Sequence, residues 1–399
     1  RKKVMSWVLT FAMLLSALGA LPLTAAADPI PVCKVGTTEY TALSDALIAV
    51  AGGGTVELLA DITYTNAISV SGSGVEVTID LNGHVLTVED VAGHALSATD
   101  SGKLSIFDVD GDGGTLKVNS SGANKSCAYA TGGGDIIIEG TITATYPGGF
   151  DNQAIFALFA DGTVDGNNEN DGSITLTGSA TGYTAGAYAQ NGAVITVSGN
   201  VTGSYYGAYS AYGGKLDITG DVTSADRGLT VEYGGIAEIV GDVEGVTGVD
   251  SCNTEFWSAS VIDITGDVTA TGTSAVNASW DADIDIDGSL FANGSNGYGI
   301  VVSETVNVAV TGNITAKNGI MMSYTSATAT VGGDIISNGG IGINIDHGGA
   351  ATVEGEITGT ATYIKLNSTD FDAEDYGDQI GGYNVYQAAV ITGEDTVYS

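Results

Sequence analysis

Apolar residues return along this chain every 21 to 25 residues, each time in the same local frame. The frame centres on a glycine: Gly178, Gly199, Gly220, Gly241, Gly266, Gly288, Gly312, Gly333 and Gly355, with Gly140 upstream after a gap of 38 residues. The positions four before, two before and two after the marker are apolar every time. They run from Ile136, Ile138 and Ile142 at the first to Ala351, Val353 and Ile357 at the last. The intervening positions are mostly Thr, Ser, Asp or Glu, as in Asp217 and Thr219 around Ile218. Alternation of this kind is the period of a strand with one buried face. In the coil ending at Gly241 it predicts strands over Gly228–Val231, Ile236–Val240 and Asp242–Glu244. Three short strands in about 22 residues leave no room for a helix. Each coil can bury its apolar side only against the same positions of the next coil, which defines a parallel β-helix.

The expected fold is therefore all-β: a right-handed, three-sheet parallel β-helix with an N-terminal capping helix. The hand follows from the preference of parallel crossovers. Tyr40 to Ala51 has apolar residues at helical spacing, with Thr41 or Ser44 as N-cap and Gly52–Gly54 as stop. A helix there would cover the unpaired backbone at the open end of the stack. Strand patterns follow at Thr55–Leu59, Ile68–Val70, Val75–Leu81 and Val85–Val88. A second glycine recurs thirteen residues before the marker, as at Gly186, Gly207 and Gly228, and is expected at a corner. The expected organisation is a leader at 1–27, a linker at 28–36 and the β-helix at 37–366. Within the β-helix, 37–60 form the N-terminal cap and 161–173 a loop insertion; 367–399 form a C-terminal cap or the start of a further domain.

Composition narrows the class. Sixty glycines without a G-X-Y period are not collagen, and 43% hydrophobic residues argue against disorder. Arg1-Lys2-Lys3, an apolar run from Val4 to Leu23 and Ala25-Ala26-Ala27 before Asp28 have the form of a secretory leader. No second run is long enough to span a bilayer. The 11 basic residues less Arg1, Lys2 and Lys3 leave 8 against 47 acidic ones. Such a surface is a poor partner for nucleic acid. Cys33, Cys127 and Cys252 fit no metal or redox spacing, and an odd count leaves at least one unpaired within the chain.

Three stretches carry a resemblance: Tyr40-Thr-Ala-Leu-Ser-Asp-Ala-Leu47, Gly53-Gly-Thr-Val-Glu-Leu-Leu-Ala-Asp-Ile-Thr63 and Val77-Thr-Ile-Asp-Leu-Asn-Gly-His-Val-Leu86. With the coils that follow, they resemble bacterial secreted and cell-surface proteins with a pectin-lyase-like right-handed β-helix. The resemblance covers most of the chain and implies an exported, adhesin-like protein, extracellular or on the bacterial surface. Wall-sorting signals often follow such helices. Here the sequence runs out at Asp395-Thr-Val-Tyr-Ser399 without one, so either free secretion or a continuation is expected.

Candidate chemistry lies in the outward columns. Asp217, Glu238, Asp263 and Asp285 stand three before successive markers; Asp221, Asp242 and Asp267 stand one after. At a coil spacing of roughly 4.8 Å these are ladders of like charge. They offer the oxygen ligands calcium takes, and equally a solvated acidic face; no cofactor is required. Asp108, Asp110 and Asp112 open with calcium-loop spacing, but Asn119 stands where a closing Glu belongs, and a plain corner fits as well. Tyrosines make the second cluster. Tyr188 and Tyr209 share one outward position in adjacent coils, Tyr212 and Tyr233 another, with Tyr183, Tyr205 and Tyr206 near the intervening corner. Aromatic rings with hydroxyls at their rim suit a glycan; exposed tyrosines also simply stabilise neighbouring strands.

The β-helix is also the fold of pectate lyases and polygalacturonases, so a lyase or hydrolase acting on an acidic polysaccharide is the alternative. Gly83-His84-Val85 and Gly93-His94-Ala95 are isolated and no R-I-K occurs. Arg227 falls on a different face from the acidic column, and Lys215 is a lone surface lysine. Outward Thr202, Thr223, Thr269 and Thr315 would suit ice, but Glu244 and Phe291 break their column. The sequence thus points to a non-catalytic stalk or adhesin-like module, monomeric, with a glycan as partner.

Overall fold

The computed structural model describes residues 30–398 except 90, 92, 121–124, 146–153, 164–170, 254–256, 324–325, 381–382, 387–388 and 393–394. It is a β-solenoid of about 12 turns. A regular coil has three strands, as in Tyr206–Ala211, Lys215–Thr219 and Val222–Ser224. Each pairs in parallel with its counterpart in the next coil, here Arg227–Glu232, Ile236–Val240 and Val243–Gly245. The first strands of the coils form a 14-stranded sheet. The second and third strands form two ladders that merge into one 26-stranded sheet. They merge because Asp135–Ala144 and Ser173–Gly182 run straight through the marker glycine, each pairing with both ladders.

The inward columns stack as the pattern requires. Ile195, Leu216, Ile262 and Ile284 form one column, and Val197, Ile218, Ile239 and Ile264 a second, all essentially fully buried. Val201, Val222, Val243 and Val268 complete the triangle, each with no exposed surface. Burying one such side chain contributes about 1.5–3 kcal/mol. The marker glycine has a steric reason. Gly199 has φ 150°, and a Cβ there would strike the carbonyl oxygen of Gly178 in the preceding coil. The second recurrent glycine is not at a corner. Gly207 lies inside strand Tyr206–Ala211, where a Cβ would sit 2.7 Å from Val222 Cγ1.

At the N-terminal end, helix Leu43–Ala49 inserts Leu43 and Ala46 into the core. Its N-cap is Ala42, without a side-chain cap, rather than Thr41 or Ser44. The expected linker 28–36 is partly ordered structure: Cys33–Val35 pairs antiparallel with both Thr38–Tyr40 and Gly54–Leu58. Gly140 and Gly178 are direct neighbours in the ladder despite their distance in sequence. Asp161 and Ser173 close strands Phe156–Asp161 and open Ser173–Gly182, so the expected insertion starts and stops inside the sheets. Its middle, 164–170, lies outside the described residues, as does the expected leader. At the far end Thr369–Phe371 turns back antiparallel on Thr362–Leu366 and ends the 14-stranded sheet. No described helix is long and apolar enough to cross a membrane.

Candidate functional site

The outer face of the 14-stranded sheet carries an aromatic column. Tyr129, Phe159, Tyr188 and Tyr209 are register partners in successive coils. His94 stacks on Tyr129 at 4.2 Å between centroids and extends the column by one ring. Phe159 and Tyr188 stack at 5.2 Å and 13°, Tyr188 and Tyr209 at 4.6 Å and 9°. Phe156 and Tyr206 flank the column, Tyr206 lying 5.0 Å from Tyr209. The paired tyrosines read from the sequence are therefore brought together. Their ring faces, however, lie mostly against one another, so the column turns ring edges and hydroxyls outward.

Those hydroxyls are fixed. Tyr188 donates to Gln190, and Tyr209 donates to Glu232 at 2.7 Å. Burial, reinforced by neighbouring phenols and carboxylates, pushes the Tyr188 phenol far above its ordinary range. Burial, then the Glu232 hydrogen bond, does the same to Tyr209. Burial, then Lys125, lowers His94 to about 4, so its imidazole stacks neutral and accepts the Ser126 N–H at Nδ1, 3.1 Å away.

The column stops at Thr230, which pairs with Tyr209 and is fully buried. Beyond it stand Asp250 and Asn277. Arg227 lies beside this end, 3.2 Å from Asp250 and 5.7 Å from the Tyr206 ring centroid. Asn277 donates to the other Asp250 oxygen at 2.7 Å. Arg227 does sit on a different face from the acidic column. Its place against the tyrosines was not legible, nor were the parts of Tyr129, Phe156, Phe159, Glu232 and Asp250.

At the next corner Tyr212 and Tyr233 stack at 4.8 Å and 10°, with Trp257 edge-on to Tyr212 at 5.1 Å. Tyr205 meets Tyr183 edge-on at 5.7 Å at the opposite end of the strand. Tyr206 belongs to the stacked face rather than to that corner.

The acidic columns are in register but behave differently. Asp217, Glu238, Asp263 and Asp285 are consecutive partners in mid-strand. Lys215 reaches Glu238 at 2.8 Å. Asp221, Asp242 and Asp267 sit at a corner, and each carboxylate accepts a backbone N–H of the next coil. Asp221 takes that of Asp242 at 3.1 Å, Asp242 that of Asp267 at 2.8 Å, and Asp267 that of Ser289 at 2.8 Å. Asp108 is likewise used by its own loop, accepting the Gly114 N–H at 2.5 Å. That bond, helped by the N–H groups of Asp112, Gly113 and Gly83, holds its carboxyl below the usual range. Asp110 and Asp112 are exposed. Among the described residues no three His, Cys, Asp or Glu side chains converge as metal ligands.

No protein-family model, curated protein or solved structure matches this chain. The pectin-lyase-like resemblance thus rests on the sequence motifs and the coil architecture alone.

Proposed function

We propose that this protein is a non-catalytic, exported stalk or adhesin-like module that binds glycans along the outer face of its 14-stranded sheet. The observation that carries the reading is the aromatic column His94, Tyr129, Phe159, Tyr188 and Tyr209, continuous across five coils and rimmed by fixed hydroxyl, amide and carboxylate groups. Ring edges carry partial positive charge and suit sugar oxygens; the rim supplies directional hydrogen bonds. A polymer lying along the solenoid would meet an aromatic ring at each of these coils. Tethered contacts of that kind add avidity without any single tight site. One chain presents the whole face, so a monomer suffices. The basic leader pattern supports export, and the acidic surface argues against nucleic acid.

The test exposes the protein to plant, mucin and microbial polysaccharides, with and without calcium, scoring retention and new chain ends together. Retention without new ends is expected, and it should vanish when Tyr188, Tyr209, Tyr212 and Tyr233 are all changed to Ala. New chain ends lost on changing Arg227 or Lys215 would overturn the reading in favour of a lyase or hydrolase.

A further inference from the structure

We infer that the corner formed by Tyr212, Tyr233 and Trp257 is a subsite for one sugar ring of a neutral polysaccharide. The inference rests on the glycan reading above and deepens it. Its first support is backbone conformation. The corner residue after most described strands of the 14-stranded sheet turns through positive φ: 52° at Asp100, 57° at Asn191, 53° at Tyr212, 51° at Tyr233, 62° at Trp280 and 61° at Glu304, though not at Gly162 or Asn253. Asparagine is at ease there; bulky aromatics are rare in this region and costly. Strain of this sort persists where a side chain is wanted for more than folding.

Ring accessibility is the second support. Tyr188 has both faces covered, by Phe159 and by Tyr209. Among the described residues the corner stack is two rings deep, with Trp257 edge-on. The preceding corner residue is Asn191, so the Tyr212 face toward that coil meets no ring among the described residues. The preceding coil's corner, where the Asn191 N–H donates to the Ala211 carbonyl at 3.3 Å, carries planar polar groups. Asn191 Nδ2 and Gln190 Nε2 donate to Asp161 Oδ1 at 2.8 and 3.1 Å. The Asp171 carboxylate lies against Gly192, where a Cβ would come 2.7 Å from its Oδ2. A half-buried aromatic pair with amide and carboxylate groups in the adjoining coil is the chemistry that holds a pyranose ring.

Charge sets the class. The acids around this corner, among the described residues, include Asp161, Asp171 and Glu232. The basic residues nearest in the chain are Lys215, three residues after Tyr212, and Arg227, and each is already paired with an acid, Glu238 and Asp250. Uronic acids and sulfated sugars would be repelled, whereas a neutral chain would not.

Trp257 lies at this corner and Trp280 at the equivalent corner two coils beyond Tyr233, so tryptophan emission reports on the site through Trp257. The experiment titrates the protein with soluble glucomannan, xyloglucan and laminarin, and with polygalacturonate as the acidic counterpart. The variants are Tyr212→Asn and Tyr233→Gly, which relieve the backbone while removing the rings. At least one neutral polymer should shift the emission, and each variant should weaken binding about tenfold or more. Their melting temperatures should hold or rise. Binding that is unchanged in both variants, or lost only together with a lowered melting temperature, would overturn the subsite. So would preferred binding of polygalacturonate. If corner variants bind normally while Tyr188→Ala with Tyr209→Ala does not, the subsite fails and the broader face stands. If the unaltered protein retains no glycan, both fall.

Discussion

Two acidic columns run side by side on this solenoid, four residues apart in sequence, and they do opposite things. In mid-strand, Asp217, Glu238, Asp263 and Asp285 project from backbone whose N–H groups are already engaged in the ladder. Glu238 and Asp263 meet like charge above and below, and Asp217 and Asp285 on one side, with Lys215 reaching Glu238. At the corner, the ladder leaves one N–H per coil without a carbonyl. Asp221, Asp242 and Asp267 fill that need, and Asn200, Ser289 and Asn313 do the same job elsewhere in the column. Equal spacing and charge thus produce a staple in one column and a repulsive stripe in the other. The difference lies in what the backbone beneath has left unpaired.

The largest effect should come from removing the staple. Changing Asp221, Asp242 and Asp267 together to Ala should cost about 3 kcal/mol of unfolding free energy, near 1 kcal/mol for each lost, largely solvent-exposed bond. Asp242→Asn keeps the acceptor, as Asn200 and Asn313 do, and should stay within about 0.5 kcal/mol of the parent in urea titrations. Mid-strand, the sign reverses. Asp263→Thr should gain about 0.5 kcal/mol by ending like-charge contacts, again read from the urea midpoint.

The pH response sharpens the same contrast. Burial, then Asp283 and Asp263, holds the Asp285 carboxyl above its ordinary value. The folded chain therefore binds this proton more tightly than the unfolded one, so its contribution favours folding below the ordinary carboxylate range. That contribution is lost as pH rises through the raised, folded value. Asp285→Asn should accordingly gain on the parent near neutral pH and lose that advantage in acid, measured as urea midpoints across pH. The smallest expected effect is that of a calcium chelator, which should leave the unfolding midpoint in place. A fall abolished by Asp263→Asn with Asp285→Asn would instead make the mid-strand column a calcium bridge.

Much of the architecture was legible because it depends on a short period. The inward columns, the pairing of Tyr188 with Tyr209 and the alignment of Asp217 with Glu238 all follow from counting to the marker glycine. Counting fails where a coil departs from its usual length. Phe159 is a partner of both Tyr129 and Tyr188, yet the 38-residue coil around it hides that alignment. Trp257 reaches Tyr212 from a lengthened corner that the period does not describe. The corner carboxylates could be aligned but not assigned, because sequence does not reveal which N–H groups the ladder leaves unpaired. Likewise, the columns brought the tyrosines together without showing that stacking would cover the faces of Tyr188.

The central claim is that the aromatic face binds and the acidic staple only builds. Co-sedimentation with a retained polysaccharide tests it in one comparison. The variant with Tyr188, Tyr209, Tyr212 and Tyr233 changed to Ala should leave the pellet, while the variant with Asp221, Asp242 and Asp267 changed to Ala, assayed below its melting transition, should sediment like the parent. Retention of the tyrosine variant, or equal loss of both, would contradict the account.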